Sequence, residues 1–228
     1  MKKALVTAGA SPLGSAVAKK LNDAGYELTL HYHQTKPVFG TNFIKGNLVD
    51  ADEMKRVAEE AVKLGLFDVV VNNAGIFPDE DLDNINFWEE MFRINTIFPS
   101  LLMSKGEKLV KQGGCFVNIS TAIAHPRFGD TEALIYSASK AALNSLTRTF
   151  AKKLAPSIRV NALAPGYVDS RWTAAHTEVY RTRLAKEQLV EKLITKDQVA
   201  SAVLELVRNE GINGEIIYVD GGLTLKTI

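Results

Sequence analysis

The chain has one cysteine, Cys115, and that scarcity excludes an internal disulfide. Cys115 lies in the apolar run Cys115-Phe116-Val117-Asn118-Ile119, which reads as a buried strand, and the lack of disulfides suits a reducing, cytoplasmic compartment. Long hydrophobic runs are missing too. None approaches the ~18 residues of a membrane-spanning helix, and the opening Met1-Lys2-Lys3-Ala4-Leu5-Val6 loses its apolar character at Thr7, too early for a secretory signal. We read it as a first strand and expect no membrane partner. Nor is there a surplus of charge: 27 basic residues stand against 26 acidic ones, a net of +1 without long blocks of either sign. A nucleic-acid partner is therefore not expected. No repeat, low-complexity tract or flexible linker divides the 228 residues, so one domain over 1–228 is expected, and no metal site.

What the chain does have is alternation. Short β-rich runs at 3–7, 27–32, 42–45, 67–72, 114–119, 158–163 and 215–219 are separated by helical patterns at 13–24, 51–64, 87–110, 134–154 and 196–207. Strands that read as continuous Val/Ile/Leu runs between helices indicate a parallel sheet covered on both faces. The predicted fold class is α/β: a doubly wound, Rossmann-like sheet of about seven strands. Between residues 36 and 42 the chain is too short for a helical crossover, so a bare loop is expected there.

Two stretches carry chemistry. In Tyr136-Ser137-Ala138-Ser139-Lys140 a phenol and an ammonium sit one helical turn apart on one face. A cation at that distance is expected to lower the phenol's pKa and make the pair a proton donor and acceptor for a substrate oxygen. The junction Thr7-Ala8-Gly9-Ala10-Ser11-Pro12-Leu13-Gly14 follows the first strand and opens the first helix, and its small residues let a pyrophosphate approach the helix N-terminus. Pro12 has no N–H to offer and stiffens the turn.

Further stretches recur in a fixed order: Asn72-Asn73-Ala74-Gly75, Arg93-Ile94-Asn95, Asn118-Ile119-Ser120-Thr121, Asn161 with Pro165-Gly166, and Val219-Asp220-Gly221-Gly222. With Thr7, Gly14, Tyr136 and Lys140 they resemble the short-chain dehydrogenase/reductase family nearly end to end, nearest its 3-oxoacyl-carrier reductases and pteridine reductases. The family's nucleotide turn is Thr-Gly-x-x-x-Gly-x-Gly; here Ala8 and Pro12 replace two of its glycines, and pteridine-reductase-like members also lack the middle one.

The resemblance implies a reaction and a site. A carbonyl is held by Thr121 and Tyr136 while nicotinamide delivers hydride; Tyr136 supplies the proton, Lys140 lowers its pKa and holds the ribose, and Asn95 keeps a water path. The reverse oxidation uses the same groups. Ser is usual where Thr121 stands, which leaves Ser120 as the fallback, although its hydroxyl reads as a strand-end group bonding the local backbone. The cofactor is expected against Thr7, Ala10, Ser11, Leu13 and Gly14 at the turn. Asn47 and Leu48 should meet the adenine, and Asn73, Ala74 and Gly75 lie beside the cofactor. Pro165, Gly166 and Val168, with Tyr136 and Lys140, complete the set. Tyr32 stands where NAD-using relatives carry an Asp, and His33, Gln34, Thr35 and Lys36 offer donors, so NADP(H) is favoured and NAD(H) remains open; no arginine clamp is visible there.

Residues 167–190 should form the substrate lid. Arg171, Trp172, His176, Tyr180, Arg181, Arg183 and Lys186 give a basic, aromatic rim suited to a carrier-bound or phosphorylated substrate, or else a solvated helix with Glu178, Glu187 and Glu191 interleaved. The expected function is a 3-oxoacyl-reductase-like oxidoreductase acting on a small carbonyl or alcohol, with pteridine and sugar enzymes as alternatives, and a catalytically weak dinucleotide sensor as the alternative of another class. Apolar residues on 87–110 (Met91, Ile94, Ile97, Phe98, Leu101, Leu102) and 134–154 (Leu143, Leu146, Phe150, Leu154) span more than one stripe, and Leu223 and Leu225 follow near the end. In relatives these two helices form an isologous interface, so the resemblance implies a two-fold contact there; the closing segment offers a second, and a homotetramer is expected over a monomer in which the lid covers these side chains.

Overall fold

Every strand pair in this protein is parallel. In the computed structural model, which describes residues 1–77, 81–128 and 131–226, the strands are β1 (Lys2–Val6), β2 (Tyr26–Tyr32), β3 (Asn42–Lys45), β4 (Phe67–Asn72), β5 (Val110–Ile119), β6 (Arg159–Pro165) and β7 (Ile216–Val219). They lie in the order β3-β2-β1-β4-β5-β6-β7. The winding reverses between β1 and β4, so the crevice at their carboxyl ends is where a doubly wound sheet binds its ligand.

Period-two alternation sends neighbouring side chains to opposite faces. Leu5, Val70, Phe116 and Val160 pack under α2 (Ala51–Lys63), α4 (Phe98–Lys105) and α5 (Leu134–Leu154). Ala4, Val6, Val69, Val71, Cys115 and Val117 pack under α1 (Pro12–Asp23) and α8 (Lys196–Arg208). Cys115 is buried there, its thiol pushed up to about 11 by burial. Among the described residues no helix is long and apolar enough to cross a membrane.

β2 runs into β3 through a loop without a helix, as expected, and Phe39 and Phe43 pack onto the α1 side of the sheet beside it. The helix expected over 87–110 is instead interrupted. It consists of α3 (Ile85–Phe92), a π-helical turn (Arg93–Ile97), α4, and a 3-10 turn (Gly106–Lys108), and β5 begins at Val110, earlier than expected. Pro99 gives the reason for the break: it lacks the N–H that would bond the Asn95 carbonyl in an α-helix. The backbone widens instead, with Phe98 N donating to Arg93 O across five residues.

The region expected as a lid holds α6 (Arg171–Ala174) and α7 (Glu178–Glu187). The side chains of Arg171 and Trp172, residues 129–130 of the loop after Thr121, and residues 227–228 of the closing segment lie outside the described residues.

Candidate active site

At the β1–α1 turn, Ser11 caps the helix, its Oγ accepting from Gly14 N at 3.0 Å, and Pro12 occupies the first helical position, where its missing N–H costs nothing. Ala8 carries the strain. Its φ is +50°, a left-handed conformation in which a glycine would be unstrained. A side chain at Gly14 would run into the Ala8 carbonyl oxygen and come within 2.7 Å of Asn73 Nδ2. This closeness, with the Leu13 amide left over at the helix N-terminus, makes a cradle that fits a pyrophosphate. Ala10 lies in the same turn. Thr7 and Asn73 turn their polar groups on one another. Thr7 Oγ1 accepts from Asn73 N at 2.9 Å and Ala74 N at 2.8 Å, while Asn73 Nδ2 donates to Thr7 O at 2.9 Å and Ser11 Oγ at 3.2 Å. They brace the turn to the end of β4.

On the other side of the crevice, the first two turns of α5 bring Tyr136 and Lys140 beside the end of β5. Lys140 Nζ donates to Ile119 O at 2.7 Å, and burial pulls its ammonium down to about 7. The Tyr136 ring is half-buried against Phe77, centroids 4.6 Å apart, in an apolar cluster that includes Phe128, Tyr167 and Leu223. Burial pushes its phenol up to about 12, only partly offset by a hydrogen bond with the Thr121 side chain. The expectation that Lys140 lowers the phenol's pKa is therefore corrected: desolvation dominates both groups, and the cation that was to act is itself weakened. Thr121 is the hydroxyl partnered with Tyr136. Ser120 Oγ is buried without a hydrogen-bond partner among the described residues, so the expected local backbone bond is absent.

Asn95, fully buried in the π turn, fixes the loop beside Lys140. Its Oδ1 accepts from Ile76 N at 2.9 Å, and its Nδ2 lies 3.1 Å from both Ile76 O and Ser139 Oγ. Ser139 Oγ donates in turn to Tyr136 O at 2.7 Å. A side chain at Gly75 would stand 3.2 Å from Asn95 Oδ1 and 3.3 Å from Lys140 Nζ. Asn95, Gly75 and Lys140 thus meet at one point. Ser139 was not singled out from the sequence, because a serine inside a helical segment carries no signal until its partner is known.

Pro165 ends β6, and the backbone of Gly166, Tyr167 and Val168 forms the floor. Gln188, fully buried, pins it: its Oε1 accepts from Tyr167 N at 3.1 Å and its Nε2 donates to Tyr167 O at 3.3 Å and Lys192 O at 2.6 Å. Thr173 Oγ1 donates to Val168 O at 3.0 Å. The two ends of the 167–190 region are joined through Gln188, which was not singled out from the sequence. Two arginines of this region are paired, Arg181 with Asp169 at 3.3 Å and Glu178 at 3.5 Å, Arg183 with Glu132 at 3.3 Å and Glu187 at 3.5 Å. The pairs at Glu178 and Glu187 are those of a solvated helix with interleaved carboxylates. Asn161 and Asp220 are structural: Asn161 bonds Ile212 O and Glu215 N, and Asp220 accepts from Gly222 N and Thr224.

At the far end of the crevice, a cleft of about 430 Å³ is lined by Tyr32, His33, Lys45, Asn47 and Arg56, among others. Leu48 is buried beside it and Asn47 Oδ1 accepts from Val49 N at 3.1 Å. The Lys36 ammonium lies 4.4 Å from the Phe43 ring centre. The sequence reading found no arginine here; the fold supplies Arg56 from α2, already paired with Glu53 at 2.9 Å and Glu60 at 2.7 Å.

Comparison with known proteins agrees with this geometry. A family model described as enoyl-(acyl carrier protein) reductase matches residues 8–224. The 3-oxoacyl-[acyl-carrier-protein] reductase of Aquifex aeolicus is 30% identical over 243 residues, covering 97% of each chain. Among solved structures, a blue fluorescent protein from a metagenomic library in complex with NADPH has a TM-score of 0.88 at 26% identity, covering 97% of each chain. The ligand-free aldohexose dehydrogenase of Thermoplasma acidophilum has a TM-score of 0.89 at 25% identity, covering 99% of this chain and 95% of that one. With the family model spanning nearly the whole chain over the same parallel fold, this protein belongs to the short-chain dehydrogenase/reductase family of oxidoreductases.

Proposed function

We propose that the chain is an NADP(H)-dependent reductase of 3-oxoacyl substrates, carrier-bound in the cell. The observation that carries the reading is the Thr121–Tyr136 hydroxyl pair, set in an apolar cluster at the strand ends and backed by Lys140 and Asn95. A carbonyl oxygen between the two hydroxyls would be polarised by both, and the Tyr136 phenol, protonated at any working pH, gives it the proton. Lys140, held by Ile119 O, and Asn95, held by Ile76, fix the path by which that proton is replaced. Phe77, Phe128 and Tyr167 keep water from the reacting carbon. A bound nicotinamide dinucleotide supplies the hydride; the turn at Ala10–Gly14, Ala74, Gly75, and the floor at Gly166–Val168 are the residues that would hold it.

The substrate reading is supported by the curated 3-oxoacyl-carrier reductases at 28–30% identity over nearly full length. The paired arginines of the lid add no support for a carrier. The choice of NADP(H) is supported by the NADPH-bound structural neighbour and by the absence of an acid at Tyr32, with His33, Lys45 and Arg56 at the cleft. A homotetramer remains part of the proposal in reduced form. Met91, Ile94, Phe98, Leu102 and Leu143 are buried within the chain, and Ile97, 49% exposed, with half-buried Leu101, Leu146 and Phe150, is what a second copy would cover. Leu225, 76% exposed, supports the second contact. Light scattering tests this, and a mass near 25.0 kDa refutes it.

The function is tested by following oxidation of NADPH and NADH with β-ketoacyl thioesters, pterins and aldoses. Turnover of the thioester with NADPH is expected. Turnover of only a pterin or an aldose would replace the substrate, tighter use of NADH would replace the cofactor, and no turnover with bound cofactor would favour a sensor.

A further inference from the structure

The strained residue in the nucleotide turn is held by a side chain that the mechanism does not use. His31, buried near the end of β2, accepts the Ala8 amide at Nδ1, 3.2 Å, and lies 3.1 Å from Gly46 O at Nε2. Gly46 O has only lone pairs, so Nε2 carries the hydrogen and Nδ1 is the acceptor; one neutral tautomer satisfies both bonds. The main-chain carbonyl of His31 also accepts from Gly9 N at 2.8 Å. One residue therefore holds two successive amides of the turn, and at its other ring nitrogen holds the segment that leads to Asn47 and Leu48. Tyr32 O adds a bond from Gly46 N at 3.0 Å.

We propose that His31 is a positioning residue for the dinucleotide: its ring keeps Ala8 in the left-handed conformation that the pyrophosphate cradle requires, and locks that cradle to the adenine-side segment at Gly46. The proposal rests on the cofactor reading above. An alanine at φ +50° is disfavoured relative to its ordinary conformations. Without an acceptor for its amide, Ala8 has reason to leave that conformation, and the Ala8 carbonyl, against which Gly14 packs, goes with it. A ligand that needs the cradle then binds only the fraction of molecules that retain it, and its apparent affinity falls by that fraction. Burial holds the His31 imidazolium down to about 4, so the ring stays a neutral acceptor at working pH and the brace is permanent.

The test is a double-mutant cycle read by NADPH fluorescence titration, with steady-state kinetics alongside. His31→Leu is expected to weaken NADPH binding roughly tenfold, the size of the penalty for a left-handed alanine, and to raise KM for NADPH more than it lowers kcat. Adding Ala8→Gly to it is expected to recover most of the affinity, because glycine takes the same φ without strain. His31→Phe, which keeps a ring beside Phe98, serves if the leucine variant does not fold. Independently of any variant, the ring ¹⁵N shifts of His31 should report a neutral Nε2–H tautomer. Variants that bind NADPH as tightly as the unsubstituted protein, a loss that Ala8→Gly does not repair, or an Nδ1–H tautomer would each overturn the proposal while leaving the function standing. An unsubstituted protein that binds no nicotinamide cofactor would overturn both.

Discussion

Replacing Lys140 by methionine should make the protein more stable, by an amount that depends on pH. Lys140 is 3% exposed, and burial brings the pKa of its ammonium from 10.5 to about 7. Below the folded value both folded and unfolded chains carry the proton, and the full penalty of burying the charge is present. As pH rises from about 7 towards 10.5, the folded protein releases its proton first and gains ~1.4 kcal/mol per pH unit. The whole penalty is thus about 5 kcal/mol. Methionine removes it with a side chain of similar length but leaves Ile119 O without its donor, a loss of roughly 1–3 kcal/mol. The variant should therefore be about 2–4 kcal/mol more stable at pH 6, and close to parity by pH 9, the gap closing by about 3 kcal/mol. Urea unfolding of both proteins across that range measures the difference, in which every other titrating group cancels if unaffected by the substitution. A gap that ignores pH, or a variant less stable at pH 6, would show that the site does not desolvate Lys140 as described. Reductase activity should be lost in the same variant.

Three further outcomes are expected. Tyr136→Phe keeps the packing against Phe77 but removes the proton donor, so turnover should fall about 10²–10⁴-fold with little change in Tm; normal turnover would remove Tyr136 from the mechanism. Thr121→Val should cost far more activity than Ser120→Ala, because Thr121 is the hydroxyl bonded to Tyr136 and Ser120 Oγ is buried without a partner among the described residues; the reverse order in kcat would reassign the hydroxyl. Gln188→Leu can neither donate to the Tyr167 and Lys192 carbonyls nor accept from Tyr167 N, so hydrogen exchange at Ile194 and Tyr167 should accelerate about tenfold or more, and unchanged protection would show that the base of the 167–190 region is held by other contacts.

The sheet was legible because its strands are apolar on both faces and helices separate them. The bare β2–β3 loop followed from counting residues, since no helical crossover fits in that gap. The interruption at Arg93–Ile97 was not foreseen, although Pro99 was in plain view: a proline near the start of α4 is compatible with a straight helix, and only the missing bond to Asn95 decides otherwise. At the site, Tyr136, Lys140, Thr121 and Asn95 were found as motif residues, and the fold brings them together. Their electrostatics were misjudged. Spacing along a helix predicts a charge–charge effect but says nothing about burial, and burial is the larger influence on both Tyr136 and Lys140. The contacts of His31, Arg56 and Gln188 escaped notice because each acts on residues distant in sequence, Ala8, the β2-end cleft and Tyr167, and only the folded chain creates those pairings.

The π turn at Arg93–Ile97 also acts as a change of phase. A helix advances about 100° per residue, and widening one turn accommodates a residue that regular winding would have placed on a different side. Deleting one residue between Arg93 and Ile97 to restore regular winding would rotate α4 relative to α3 by about that angle. Either Asn95 would leave Ile76 and Ser139, or Ile97, now 49% exposed, and half-buried Leu101 would turn to a different side. The inward aim of the amide and the outward aim of the apolar stripe are two readings of one angular offset, so drift in the exposed surface at Ile97 cannot proceed by insertion or deletion here without disturbing the bonds that Asn95 makes to Ile76 and Ser139.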